Sequence, residues 1–426
     1  MKVLVVGSGG REHAICWGIS ENKNVRSLYC APGNGGISKI AKNVEIKSDD
    51  LERLLKFALK EKIDLTIVGP EKPLSLGIVD LFRKNNLLIF GPDKHSSQLE
   101  SSKEFSKLFM KRHKIPTATF ETFTDFDKAY DFIEKNNYPL VIKADGLASG
   151  KGVRVCNNFN EAEEFLIFLM KDKIFSKSGE KVVIESFLEG EEASFFVFTD
   201  GVNILPLDSS QDHKRLLDQD LGPNTGGMGA YSPAPIIDDE TKQNIMNNIV
   251  NPVFEGFKKD KINYTGILYI GLMIKNKIPS VVEFNCRFGD PETQPLLYRM
   301  KSDIFDLFYK TSTQNLSTYN LEWNETSSVT VVLASKGYPE KSTNGVISNL
   351  EKFQEEGVYI FHAGTELKDD NYLIVGGRVL GVTSEHETLS GAINLAYKAI
   401  SKIDTTSLTC RSDIGKKGLS RNPKTP

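Results

Sequence analysis

The sequence predicts an α/β protein of several domains that opens on a parallel sheet covered by helices. Three observations carry this prediction. At 426 residues the chain is long enough for a large buried core and for roughly three domains of ~150 residues each. Its first hundred residues alternate short β-branched runs with amphipathic stretches, the pattern of a parallel sheet with helical crossovers. Glycine-rich turns follow several of these runs, where an open α/β sheet presents its ligand crevice.

Taken in order, strands are expected at residues 2–6, 27–30, 65–68 and 88–90, and helices at 12–20, 50–61 and 77–84. Gly91-Pro92-Asp93 closes the series, which places a first domain at 1–102. A second domain is expected at 103–318. Within it, residues from about 117 to 188 read as a separate strand-and-helix unit, entered through Ile115-Pro116, that can move as a lid. The polar stretch 315–324 reads as a linker. The third domain, 319–426, is a small α/β unit with strands at 329–334, 357–363 and 373–380, a helix at 388–403 and a loose tail at 416–426.

Composition narrows the function classes. Lys and Arg total 53 against 56 Asp and Glu, a formal net charge of −3, which lacks the basic bias of a nucleic-acid binder. With 39% hydrophobic and 26% charged residues, the chain is globular rather than disordered. Apolar runs such as those at 3–6 and 195–198 fall far short of the ~18 residues of a membrane span. Met1-Lys2 leads straight into Val-Leu-Val-Val-Gly, too short for a signal-peptide core. A cytoplasmic protein with small-molecule partners, and without nucleic acid or membrane, is expected. Cys16, Cys30, Cys156, Cys286 and Cys410 are scattered and never form a Cys-x-x-Cys pair, so they read as inert thiols.

Gly7-Ser8-Gly9-Gly10-Arg11-Glu12 follows a strand and opens a helix, where backbone N–H groups face any bound anion. Glu12 stands where a dinucleotide fingerprint has its third glycine, and Ala31-Pro32-Gly33 stands where a ribose-binding acid belongs. A nicotinamide cofactor is therefore disfavoured. A phosphate or phosphosugar site, or a plain packing turn, remains. The loops 32–36 and 69–74 follow strands of the same sheet and are expected to face the same crevice.

Further on, Lys143 ends an apolar strand and the glycine-rich turn 146–152, with Lys151, feeds another strand. Asp145 and Gly152 occupy positions at which a Walker A motif needs Gly and Ser or Thr. What remains is a hairpin with one fixed and one mobile ammonium, suited to covering a polyphosphate, or else a solvated surface hairpin. Residues 181–192 read as an apolar strand breaking into an acidic loop; such a loop can hold an adenine edge and ribose hydroxyls or simply be solvated. Residues 211–215 and 222–231 are loops crowded with charge and glycine, uncommon inside a domain unless functional. His213 is open between catalysis and ordinary hydrogen bonding.

The segment 281–294 is the most informative. Strand alternation puts Glu283, Asn285 and Arg287 on one face, with Val282, Phe284 and Cys286 toward the core. Two hard oxygen donors suit magnesium bound together with phosphate oxygens, and the guanidinium suits a phosphoryl group or carboxylate. A salt-bridged surface strand is the plain alternative.

Together with residues 7–13, 142–153, 210–215 and 222–233, and with 361–365 and 376–380 in the same order, this segment resembles the glycinamide ribonucleotide synthetase family of phosphoribosylamine–glycine ligases. The resemblance runs from about Val3 to Gly415. It implies an ATP-grasp fold, two α/β subdomains clasping ATP, behind a Rossmann-like N-terminal domain. It also implies that ATP, glycine and 5-phosphoribosylamine give glycinamide ribonucleotide, ADP and phosphate through glycyl phosphate, a step of purine synthesis. On the matching positions it implies magnesium or manganese on Glu283 and Asn285, and ATP on Lys103, Lys143, Gly150, Lys151, Gly152, Glu185, Leu188 and Glu192. Of these, Glu185 and Leu188 line adenine and Glu192 holds the ribose. Arg287, Lys143 and Lys151 serve catalysis, and the substrates lie against Gly9, Gly10, Asn34, Glu71, Asp212, Lys214, Arg215, Arg287 and Pro291.

Two departures stand out. Ser186 replaces a glutamate, and the strand at 268–274 lacks the extra metal-binding acid of many ATP-grasp enzymes, so the nucleotide's oxygens complete the metal's shell. Nothing after Gly415 resembles the partner enzymes fused to this ligase in some organisms, so a stand-alone ligase, monomeric or weakly dimeric, is expected.

Overall fold

Val3 and Val5 point to one face of the first strand and Leu4 and Val6 to the other, and all four are fully buried, so this strand lies inside a sheet covered on both sides. In the computed structural model, which describes residues 1–147, 152–172, 180–348, 350 and 353–421, that strand is β1 (Lys2–Gly7). It is followed by α1 (Gly10–Ser20), β2 (Ser27–Pro32), β3 (Lys42–Asn43), α2 (Leu51–Glu61), β4 (Leu65–Val68), α3 (Glu71–Leu76), α4 (Ile78–Lys84) and β5 (Ile89–Phe90). The five strands form one parallel sheet in the order β3-β2-β1-β4-β5. The order reverses between β1 and β4, which opens a crevice at their C-terminal ends. The expected strands and helices are all present; β3 and α3 are additions. α3 and α4 are separate because Gly77 takes φ +95° between them.

After α5 (Gln98–Ser101) and α6 (Lys103–Arg112) come β6 (Phe120–Phe123), α7 (Phe126–Lys135), β7 (Leu140–Ala144), β8 (Val153–Cys156), α8 (Phe159–Met170) and β9 (Val182–Ser186). These strands pair antiparallel as β6-β9-β7-β8 over their own core of Ile133, Ile142, Leu166 and Ile184.

The next section holds β10 (Glu191–Thr199), β11 (Ile204–Pro206), β12 (Gln211–Asp212), β13 (Arg215–Leu217), β14 (Leu221–Asn224) and β15 (Gly229–Ser232). Helices α9 (Asp239–Ile245) and α10 (Asn251–Asp260) lead to β16 (Gly266–Lys275), β17 (Ile278–Asn285), α11 (Thr293–Tyr298) and α12 (Ile304–Ser312). β11-β10-β16-β17 form a sheet. Glu191 and Glu192, expected in a loop, are therefore on a strand, because each pairs across to β16. The stretches 211–215 and 222–231, also expected as loops, contribute β12 to β15.

The C-terminal section runs β18 (Ser327–Ser335), β19 (Gly345–Ile347), β20 (Val358–His362), β21 (Thr365–Lys368), β22 (Asn371–Ile374), β23 (Arg378–His386), α13 (Leu389–Ile400), β24 (Leu408–Thr409) and α14 (Lys416–Leu419). Its main sheet, β12-β15-β18-β23-β20 with β24 on β18, takes two strands from the middle of the chain. The single strand expected at 373–380 is two, since the chain turns at Gly376, whose backbone lies so close to Gly364 that a Cβ there would sit 2.5 Å from the Gly376 Cα. Residues 315–324 are not a free linker. Leu316 is buried and its N–H donates to Asp200 at 3.0 Å, and the Tyr319 hydroxyl donates to the Asp303 carbonyl at 2.7 Å. Nor are residues 416–421 loose: α14 buries Gly418 against Leu389 and Tyr231. The rest of the expected tail, 422–426, lies outside the described residues. Among the described residues no helix is long and apolar enough to cross a membrane.

Candidate active site

β17 delivers Glu283 and Asn285 to the cleft between the sheets, and Arg287 follows. The face assignment needs one correction. A bulge between Gly271 and Leu272 pairs Glu283 with Gly271 and Val281 with Leu272, so Val281 rather than Val282 enters the core alongside Phe284 and Cys286. Burial alone would raise the Glu283 carboxyl. Lys214, Lys103, Lys143 and Arg287 outweigh it and hold the pKa down at about 2. Asn285 Oδ1 accepts from Arg287 Nη2 at 3.4 Å. Arg287 is in turn clamped by Glu100 at 2.9 Å and Glu71 at 3.4 Å. Glu100 also accepts the Cys286 N–H at 2.7 Å, and its own pKa is raised, chiefly by burial.

Lys143, at the end of β7, pairs with Glu185 Oε1 at 2.9 Å and donates to the Val282 carbonyl at 3.4 Å. The other Glu185 oxygen pairs with Lys107 at 2.9 Å. The Glu185 carboxylate thus bridges two lysines, because it is 3% exposed and buried charge requires partners. Lys103 opens α6, and Leu188 lies in the link between β9 and β10. Gly152 is buried and its carbonyl accepts the Ala144 N–H at 2.8 Å. Gly150 and Lys151 lie outside the described residues.

On the β10 side, Glu192 pairs with Lys214 at 2.9 Å. Asp212 is buried; burial first, then Glu292, Glu192 and Glu283, raise its pKa against the pull of Lys214. Burial opposes the Lys214 charge, but Glu192 and Asp212 hold its pKa well up. Arg215 does not join this group. It is exposed and donates to the Gly222 carbonyl at 2.6 Å, across the β13–β14 ribbon. His213 is an ordinary buried histidine: Nδ1 lies 3.3 Å from the Gly229 carbonyl and Nε2 accepts the Gly415 N–H at 3.3 Å. Burial, with Arg411 and Lys417, drives it down to about 4.

The turn before α1 explains the missing dinucleotide fingerprint. Glu12 folds back so that its carboxylate accepts the Gly9 N–H at 2.6 Å and meets Arg11 Nε at 2.5 Å. The Arg11 N–H donates to Asp290 at 3.4 Å. Carboxylates of the chain itself thus occupy the anion position. A Cβ on Gly7 would stand 2.5 Å from Glu12 Cδ, at φ +134°, so only glycine permits this. Gly10 faces Gln294, with room for no Cβ: one would lie 2.5 Å from the amide nitrogen.

Asn34, expected to touch substrate, also ties its own loop together. Its amide donates to the Ser8 and His362 carbonyls, both at 2.8 Å, and accepts the Gly36 and Ile37 N–H groups at 3.0 and 2.9 Å. Glu71 faces both Arg287 and Arg11, and despite burial its pKa is lowered. Pro291 is buried next to Asp290, which pairs with Arg378 at 3.3 Å.

The cleft therefore gathers Glu71, Lys103, Lys143, Glu192, Asp212, Lys214, Glu283, Asn285 and Arg287. Sequence reasoning missed Arg11, Glu100, Lys107, Glu292 and Arg378. Lys107 had a signal, lying one helical turn beyond Lys103; the others are recruited by tertiary contacts.

Models of the phosphoribosylglycinamide synthetase N, ATP-grasp (A) and C domains match residues 1–100, 101–293 and 328–417. The phosphoribosylamine–glycine ligase of Escherichia coli is 48% identical over 426 residues, covering 99% of each chain. That of Ralstonia nicotianae is 47% identical over 425 residues, covering 99% of this chain and 100% of that one. A crystal structure of phosphoribosylamine–glycine ligase from Thermotoga maritima superposes with a TM-score of 0.85 at 33% identity, covering 97% of this chain and 100% of that one. The biotin carboxylase domain of the Hydrogenobacter thermophilus 2-oxoglutarate carboxylase, at 16% identity and a TM-score of 0.76 over 96% of this chain and 90% of that one, shares the fold alone. The chain belongs to the phosphoribosylglycinamide synthetase family.

Proposed function

We propose that this chain is an ATP-dependent ligase that joins glycine to 5-phosphoribosylamine, releasing glycinamide ribonucleotide, ADP and phosphate. The observation that carries the reading is the convergence of Lys103, Lys143, Lys214 and Arg287 on the ionised Glu283 beside Asn285. A site built this way binds polyanions and stabilises charge moving between phosphate oxygens.

Glycine's carboxylate resists attack by an amine, because an oxide is too poor a leaving group. Transfer of the γ-phosphoryl group makes glycyl phosphate, and the amine of phosphoribosylamine then displaces phosphate at its carbonyl. Lys103 and Lys143, with Lys151, hold the triphosphate, while Glu192 and Leu188 meet the nucleoside. Arg287, fixed by Glu71 and Glu100, orients the glycine carboxylate toward the transferring group. The phosphosugar lies along Gly10, Glu71, Asp212, Lys214 and Pro291.

The donor set suits a hard cation, and among the described residues no group of three His, Cys, Asp or Glu could hold a metal by itself. Glu283 and Asn285 would hold magnesium or manganese with nucleotide oxygens completing the shell, and the ion would supply charge neutralisation at the phosphates. The β6–β9 sheet acts as the lid, which excludes the water that would hydrolyse the acyl phosphate.

Phosphate release with ATP, glycine and freshly generated phosphoribosylamine tests the reading. Release that requires both glycine and phosphoribosylamine, and fails with alanine or bicarbonate in place of glycine, is expected. Release driven by bicarbonate and indifferent to glycine would sink it.

A further inference from the structure

Among the described residues, Lys107 is the one ammonium of the buried cluster that the chemistry above leaves without a part. It projects from α6 and is 2% exposed. Its Nζ pairs with Glu185 Oε2 at 2.9 Å and donates to Thr117 Oγ1 at 2.7 Å. The Thr117 hydroxyl passes the chain on, donating to the Val281 carbonyl at 2.7 Å, two residues before Glu283. One lysine therefore ties together α6, the entry to the β6–β9 sheet, the strand β9 and the strand that carries Glu283.

The charges give this arrangement a consequence. Glu185 sits between Lys107 and Lys143, at 2.9 Å from each. Lys143 paired with Glu185 alone would be a neutral dipole, with little attraction left for a phosphate. With Lys107 on the other oxygen the trio carries one net positive charge, and Lys143 is its less enclosed member, 5% exposed. Interactions at these separations in a poorly solvated site are strong.

We propose that Lys107 is a positioning residue for ATP: by neutralising Glu185 it leaves the charge of Lys143 available to the nucleotide phosphates. The proposal rests on the reading of Lys143 given above. Lys107 acts through Glu185 and touches no substrate.

The groups facing Lys107 are Glu185 and Lys143 from the β6–β9 sheet and Glu283 from β17. Burial first, and then Lys143, push its pKa down to about 8, against the two carboxylates. Above that pH Lys107 loses its charge, Glu185 cancels Lys143, and ATP binding weakens.

The test measures KM for ATP, kcat and thermal midpoint in the full-length enzyme for Lys107→Met, Lys107→Arg, Lys143→Met and the double variant Lys107→Met/Glu185→Gln. Lys107→Met is expected to raise KM for ATP about tenfold or more with kcat changed far less. The double variant, in which the net charge is restored, is expected to recover most of that loss. The parent's KM for ATP is expected to climb above pH ~8, and the climb is expected to vanish in Lys107→Arg, whose charge persists.

A Lys107→Met enzyme with a lowered midpoint but unchanged KM for ATP, or a double variant no better than the single, overturns the proposal. So does a double variant that keeps the parent's midpoint but not its KM for ATP, a result that stands even if Lys107→Met folds poorly. Lys143→Met separates the two layers of argument. No effect on KM for ATP there refutes the assignment of Lys143 itself, whereas an effect there with none in Lys107→Met refutes only the role of Lys107.

Discussion

Glu283→Gln keeps the shape of the side chain and removes the charge on which four cations converge. The fall of the carboxyl pKa from 4.5 to about 2 corresponds to about 3 kcal/mol, at ~1.4 kcal/mol for each pH unit. The folded value lies below the unfolded one, so this stabilisation is fully present above pH 4.5 and is lost as pH falls toward 2. The variant is therefore expected to be less stable than the parent by about 3 kcal/mol near neutral pH and by roughly half that near pH ~3. Urea unfolding followed by intrinsic fluorescence at the two pH values reads this difference.

Activity gives a second and opposite signature. Four cations without their carboxylate attract a polyanion at least as well, so ATP affinity measured with a chelator present should hold or tighten. Metal-dependent phosphate release should fall by ~100-fold or more. Turnover within about tenfold of the parent, or a loss of chelator-insensitive ATP affinity in step with activity, would refute the reasoning.

Two further outcomes are expected. His213 is held neutral with a pKa of about 4 against 6.5 when free, so its folded value is depressed; its contribution is present above pH 6.5 and declines as pH falls toward 4. His213→Gln should flatten that limb of the stability profile, measured by unfolding between these limits, while leaving KM for glycine near the parent's. Asn34→Ala removes two donated and two accepted hydrogen bonds and should cost about 2–4 kcal/mol of stability. A large rise in KM for phosphoribosylamine with the thermal midpoint intact would assign Asn34 to substrate binding instead.

Four strands of the N-terminal sheet were legible because each is a short apolar run closed by a turn, unlike β3, the two polar residues Lys42–Asn43; β1, with alternate residues buried in two different cores, is the clearest case. The face of β17 was legible for the same reason, up to the bulge at Gly271, which no sequence pattern announces. The acidic run at 189–192 misled because charge reads as solvent, whereas Glu192 pairs with Lys214 along a strand wall. The structural part that Asn34 plays was hidden in a different way: its amide satisfies a backbone group across 328 residues of sequence, a contact that no local pattern announces. Glu100, Glu292 and Arg378 could not have been found, since each matters only through a neighbour distant in the chain.

The sharing of one sheet between the middle and the end of the chain has a bearing on how the protein can be divided. Residues 229–232 hydrogen-bond along residues 328–331 of β18. A fragment starting near residue 319 would bare that flank of β18, an open edge free to recruit strands from other molecules. Truncations made at the apparent linker should aggregate, because the last quarter of the polypeptide needs β15 before its sheet is whole.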